Sequence, residues 1–160
     1  MPLTRHDASP GRLLGLDFGE QRIGCAVADS TTGVVRALAT LHHRDVARDA
    51  AAIATLVSEH RVTELVVGLP LRLDGSEGEQ AAVTRAWAEG IGDELEVPVR
   101  FRDERFSSIA AEERLPRARR GSAGGPPSQR ARRAQRSRID REAAAGILRA
   151  EMEARAGVEH

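Results

Sequence analysis

LLGLDFGEQRIGCAVAD, residues 13–29, holds two apolar runs, 13–18 and 23–28, separated by Gly19, Glu20, Gln21 and Arg22. Apolar runs of that length around a short polar turn predict two antiparallel strands joined as a hairpin. Strand side chains alternate between faces, so Leu14, Leu16 and Phe18 share one face and Gly15, Asp17 and Gly19 the other. Asp17 is thus a carboxylate in an apolar strand, flanked on its own face by residues without side chains. An unpaired charge buried there is costly, so Asp17 needs a cation, a hydrogen-bond donor or a metal. The glycines leave room for a ligand to approach the backbone. The plainer alternative is an Asp and a Gly that only shape a turn.

Outward from the hairpin, Thr31, Thr32 and Gly33 turn the chain into a third short strand at 34–40. Residues 44–60 place Val46, Ala50, Ile53 and Val57 at spacings of four, three and four, the pattern of an amphipathic helix. Residues 62–68 are apolar on both faces, as expected of a central strand covered on each side. A loop over 70–78 leads to a helix at 79–93, with Val83, Trp87 and Ile91 four apart. A strand at 97–102, a helix starting over 107–114 and a last helix at 141–152 follow. Three strands in a meander and then helix, strand, helix, strand predict a mixed five-stranded sheet with helices on both faces. That is the element order of a ribonuclease H-like α/β fold.

A chain of 160 residues fits one domain, taken as 12–156, with a flexible N-terminus over 1–11. Formal net charge is zero, but its distribution is uneven. Residues 1–113 carry 12 Arg against 19 acids, 114–138 nine Arg and no acid, and 139–160 three Arg against five acids. Every basic residue is Arg. The cationic segment contains Gly-Gly-Pro-Pro and little apolar surface, which predicts a flexible stretch over about 117–138. Cys25 is the only cysteine, which excludes an intrachain disulfide and a thiolate metal cluster and favours a reducing compartment. Nothing resembles a signal peptide or a membrane span, so the expectation is a soluble, cytoplasmic protein with no membrane partner.

Acids stand at strand ends and a helix start: Asp17 on the first strand, Asp103 and Glu104 on the last, and Asp140 before the terminal helix. Spacings of four and seven put Asp140 on the side of Ala144 and Ile147, which faces the sheet. Three converging carboxylates repel one another unless hard cations sit between them, and oxygen ligands suit Mg²⁺ or Mn²⁺. Such a site can hold two metals and activate water for phosphodiester cleavage. Taken singly, Asp140 also suits a helix N-cap, and Arg102-Asp103-Glu104-Arg105 a solvated, ion-paired strand end. Alternation does not choose between the last two acids: Val97, Val99, Phe101 and Asp103 share a face, and Arg100, Arg102 and Glu104 the other.

Leu16-Asp17-Phe18-Gly19 with Arg22-Ile23-Gly24 and Ala26-Val27-Ala28-Asp29 resembles the opening of the YqgF/RuvX family. Val67-Gly68-Leu69-Pro70-Leu71 with Asp74-Gly75-Ser76-Glu77-Gly78 is similar to its second motif, and Asp103-Glu104-Arg105-Phe106-Ser107 to its third. Asp140 with Ala143, Ala144, Ile147 and Leu148 resembles its fourth. The resemblance covers roughly 12–150 and implies a ribonuclease H-like nuclease linked to maturation of the 5′ end of the 16S ribosomal RNA precursor, some members being Holliday-junction resolvase-like. It implies Asp17, Glu104 and Asp140 as the catalytic, metal-holding triad, and so favours Glu104 over Asp103. The family often has Lys where Gln21 stands and Asn where Arg72 stands; the approach to the last acid is here Arg136-Ser137-Arg138.

Arg is always charged and cannot serve as a base, so such positions suit phosphate. Nucleic-acid contacts are expected from Arg22, Arg72 and Arg105, and from Arg130, Arg132, Arg133, Arg136 and Arg138 in the cationic segment. Ser107 suits a helix cap. The expected partner is structured RNA, with branched DNA as an alternative and pre-ribosomal particles as a setting, for a monomer or homodimer. Two other classes compete. Actin-like ATPases and sugar kinases open with a similar hairpin but need two such domains, and 160 residues supply one. A non-catalytic RNA-binding or ribosome-assembly factor would keep the fold and bind RNA without metal-dependent cleavage.

Overall fold

The apolar runs of the opening hairpin form β1 (Arg12–Phe18) and β2 (Arg22–Asp29), and the Gly19 N–H closes their turn on the Arg22 carbonyl at 2.8 Å. The structure is a computed structural model and describes residues 11–104 and 125–158. β3 (Val35–His42) follows a turn in which the Asp29 carboxylate accepts from the Thr31 and Thr32 N–H groups and Gly33 takes a φ of 75°. α1 (Val46–His60) starts at Asp45, whose side chain accepts from the Arg48 N–H as an N-cap. β4 (Val62–Leu69), α2 (Glu79–Leu95), β5 (Val99–Asp103) and α3 (Gln129–Val158) complete the described chain.

The strands line up as β3-β2-β1-β4-β5. β1 is antiparallel to β2, and β2 to β3; β4 is parallel to both β1 and β5. Parallel neighbours need long crossovers, which α1 and α2 provide. The expected mixed five-stranded sheet is therefore the observed one. Leu14, Leu16, Phe18, Ile23, Leu65 and Val67 face one core with Ile53, Trp87 and Ile91 of α1 and α2. Leu13, Ala26, Ala28 and Val66 face the other, against Ala144, Ala145, Ile147 and Leu148 of α3. No described helix is long and apolar enough to cross a membrane.

Two expectations need correction. Val83 was expected to point inward with Trp87 and Ile91, yet it is half exposed; Ala81, Thr84, Trp87, Ala88 and Ile91 form the buried stripe. Thr84 can be buried because its hydroxyl donates to the Gln80 carbonyl at 2.9 Å. The last helix starts at Gln129 rather than 141, so the flexible stretch expected over 117–138 is helical from 129 onward. Arg, Gln and Ala are strong helix formers, and Ser128 Oγ accepts from the Ala131 N–H at 3.1 Å as an N-cap. Glycine and proline at 121–127 outweighed that propensity in the sequence reading. The expectations for 1–10, for a helix over 107–114 and for 117–124 lie outside the described residues.

α3 is tied to the sheet by charge as well as by apolar packing. Glu151 is fully buried and accepts from Arg102 Nη2 at 2.9 Å and Arg155 Nε at 2.7 Å. Glu64, also buried, accepts from Arg155 Nη2 at 2.7 Å and Arg100 Nε at 3.3 Å. Removing one partner of a buried ion pair leaves the others uncompensated and costs about 3–5 kcal/mol. Glu151→Ala is therefore expected to lower unfolding stability by about 3 kcal/mol or more in a urea titration. A loss below about 1 kcal/mol would mean that the network is solvated rather than structural.

Candidate active site

Asp17 lies near the end of β1 and pairs directly with Gly24 of β2. On its other side the parallel register runs to Leu16 against Val67, so the next position along β4 is Gly68. Both lateral neighbours of Asp17 therefore lack side chains, and both gaps are filled by the other acids. A Cβ on Gly24 would stand 1.9 Å from the Asp140 carbonyl oxygen of α3. A Cβ on Gly68 would stand 2.5 Å from Glu104 Oε2. The Glu104 N–H donates to the Leu69 carbonyl at 3.2 Å, which continues the β4–β5 pairing one step past the strand.

The ambiguity between Asp103 and Glu104 disappears once α3 is seen to cover the Arg face of β5. Arg102 reaches Glu151 of α3, so Arg100, Arg102 and Glu104 all lie on the side where Asp17 faces α3. Asp103 is exposed. The Asp17 and Glu104 carboxyls are hydrogen-bonded to each other. Burial pushes the Asp17 carboxyl above its ordinary value; the bond to Glu104 works against the rise, and the nearby charge of Asp140 adds to it.

Asp140 is held on its far side by Arg22, whose Nε donates to Oδ2 at 2.6 Å. Asp17, Gly19, Glu20, Gln21, Arg22 and Asp140 line a cleft of about 290 Å³. Cys25 is buried, with its thiol pushed up to about 12 by burial and by the Asp17 charge, so it is neither nucleophile nor ligand here. The carboxylates of the cleft offer only oxygen donors, the kind a hard divalent cation takes, while burial first and the Asp140 charge after it raise Asp17. Among the described residues no three His, Cys, Asp or Glu side chains yet stand together at metal-ligating distance. Asp140 is instead paired with Arg22 at 2.6 Å.

A group that sequence reading missed supports the strand end from behind. Phe18 stacks on Trp87 with centroids 4.3 Å apart and meets the His43 ring edge-on at 4.8 Å. The buried Asp49 carboxylate accepts from Trp87 Nε1 at 3.0 Å and the Arg44 N–H at 2.9 Å, and lies 2.5 Å from His43 Nδ1. No local spacing links residues 43, 49 and 87, so only the fold could reveal the cluster. Its one sequence signal was Trp87 itself, the sole Trp of the chain.

The expected arginines separate by position. Arg22 stands in the cleft. Arg72 is exposed in the β4–α2 loop and folds over Gly78, away from the cleft lining. Arg130, Arg132, Arg133 and Arg136 are exposed on the first turns of α3 and have no ion pair among the described residues. Arg138 is half-buried and donates to Gln135 Oε1 at 2.6 Å. Arg105 lies outside the described residues.

Comparison with known proteins agrees with this geometry. The profile of the RuvX family, described as Holliday junction resolvase, matches residues 11–154. A protein of Anaeromyxobacter dehalogenans strain 2CP-1, named "Putative pre-16S rRNA nuclease", is 46% identical over 145 residues, 91% of this chain and 98% of that one. One of the same name from Synechococcus elongatus is 41% identical over 135 residues, 84% of each chain. Among solved structures, Thermus thermophilus RuvC in complex with Holliday junction substrate superposes with a TM-score of 0.53 at 20% identity, covering 91% of this chain and 96% of that one. That likeness establishes the ribonuclease H-like fold. With the profile match running from β1 through most of α3, the chain belongs to the RuvX family.

Proposed function

We propose that this chain is a divalent-metal-dependent nuclease that hydrolyses phosphodiester bonds, acting in the cytoplasm on the 5′ end of the 16S ribosomal RNA precursor. The observation that carries this reading is the closure of Glu104 and Asp140 over Asp17 through the gaps at Gly24 and Gly68. The names of the relatives support the substrate, and the family description makes branched DNA the alternative one. Pre-ribosomal particles are the natural setting for the first.

Asp17, Glu104 and Asp140 would hold Mg²⁺ or Mn²⁺, two ions being the reading that three carboxylates favour. When bound, the metal supplies Lewis-acid activation of water and neutralises charge on the phosphoryl oxygens. The protein's own residues prepare the site. Burial raises the Asp17 carboxyl, and Glu104 and Asp140 are the acids nearest it. Arg22, once released from Asp140, is a permanent cation at the cleft mouth that can meet a phosphate in a bidentate contact. Arg72, Arg130, Arg132, Arg133, Arg136 and Arg138 extend the basic surface, and Arg105 belongs to the same reading from its place in the sequence.

Cleavage of labelled RNA is expected with Mn²⁺ or Mg²⁺ and to vanish in EDTA. Asp17→Asn and Glu104→Gln should each lower it by orders of magnitude while leaving metal-free RNA affinity nearly unchanged; Asp103→Asn should matter much less. Undiminished cleavage in EDTA overturns the metal reading. Tight RNA binding with no cleavage under any divalent ion would favour an assembly factor instead.

Stability should report the Asp17 proton. A carboxyl raised in the folded state binds a proton that the unfolded chain has lost, so folding becomes less favourable as pH rises from 3.8 through the raised value. Asp17→Asn removes that penalty. In EDTA the variant should be more stable than wild type near pH 8, and its advantage should shrink steadily towards about pH 4 in urea titrations. An advantage independent of pH would show that Asp17 carries no perturbed proton.

A further inference from the structure

The cationic stretch of 129–138 is helical, and a helix assigns each arginine a direction. At about 100° and 1.5 Å per residue, Ala144, Ile147 and Glu151 lie on the same stripe as Asp140, and all three are buried against the sheet side. Continued towards the N-terminus, that stripe reaches Arg136 and then Arg133. They lie within about 40° and 20° of the Asp140 direction, about 6 Å and 10.5 Å up the axis. Arg130 and Arg132 are turned about 80° to either side, and Arg138 about 160° away. The Thr40 hydroxyl donates to the Ser137 carbonyl at 2.8 Å and so ties α3 to β3 at that turn. Arg133 and Arg136 lie beyond that tie, exposed and without an ion pair among the described residues.

One helical stripe thus carries an ion network, an apolar seat, a cleft acid and then two free cations in line with that acid. A nucleic-acid strand lying along it meets a charge at two fixed distances on one side of the cleft. We propose that Arg136 and Arg133 hold two successive backbone phosphates of the bound strand on that side, so that α3 sets the register of the strand at the acids. This rests on the nucleic-acid reading of the same site and adds a division of labour to it. Arg130 and Arg132 contribute diffuse attraction, and Arg138 contributes no register contact. The ligand chemistry is the phosphodiester backbone, which RNA and DNA share.

The test measures binding in EDTA, where no cleavage occurs, by the full chain. The probes are a hairpin with a single-stranded 5′ extension, made as 2′-O-methyl RNA and as DNA, each with one neutral methylphosphonate walked along the extension. For wild type, two adjacent substitutions should weaken binding more than any others. Arg136→Gln should abolish sensitivity at the one nearer the hairpin-bound end of the footprint or at its neighbour, and Arg133→Gln at the other. Each should flatten the slope of log affinity against log salt by about 0.7. Arg130→Gln and Arg132→Gln should leave the two-position pattern of wild type intact. Glutamine preserves helix propensity, and circular dichroism checks that α3 persists. Identical patterns for all four variants, no position-specific sensitivity in wild type, or no binding to either probe would overturn the rail. Response of the RNA probe alone, or of DNA alone, identifies the source of the phosphates. A chain that shows the two-position pattern yet never cleaves with Mn²⁺ keeps the rail and loses the nuclease reading; a chain that cleaves without the pattern does the reverse.

Discussion

The approach of the Glu104 carboxylate and of the α3 backbone at Asp140 to Asp17 depends on what is missing beside that residue. Asp17 is flanked across the sheet by Gly24 and, one position beyond the Leu16–Val67 rung, by Gly68. Any Cβ at Gly24 would drive into the Asp140 backbone, and any at Gly68 into the Glu104 carboxylate. Packed interiors tolerate no such overlap. The two gaps therefore do what the acids cannot do for themselves, since like charges in a buried place repel. Burial and the Asp140 charge accordingly raise the Asp17 carboxyl.

Holding mutually repelling groups together requires a stiff frame, and the frame is visible on both sides of the sheet. Behind Asp17, Phe18 is clasped by Trp87 and His43, which both lean on the buried Asp49 carboxylate. In front, α3 is seated by Ile147 and Leu148 and pinned to the sheet where its Glu151 meets Arg102 of β5 and its Arg155 meets Glu64 of β4. The pins lie more than two helical turns from Asp140, so they fix the helix without neutralising the acid. Among the described residues Arg22 is the cation that pairs with Asp140, and its own side chain is partly exposed.

Much of this was legible in the residues. The strand period and the lone acid in 13–18 led to the correct hairpin and to Asp17, because alternation is local and the glycine neighbours are sequential. The choice of Glu104 was not legible from alternation, which sets Asp103 with Phe101 and Glu104 with the arginines of β5 and selects neither. It is covered, and its arginines are matched by Glu64 and Glu151 from elements 36 and 49 residues away. Gly68 could be read as a strand exit, but its position beside Asp17 is a matter of register between strands, which no single segment contains. The early start of α3 is masked in the sequence by the charge of 129–138 and the Gly-Pro content just before it, although Arg, Gln and Ala favour helix.

The most direct measurement is anomalous diffraction from crystals of the protein grown with saturating Mn²⁺. The expected result is manganese density in contact with the carboxylates of Asp17, Glu104 and Asp140, with the Arg22 to Asp140 bond broken. Arg22 still paired to Asp140 and no manganese between the acids would contradict the reading of this cleft as a metal-dependent active site.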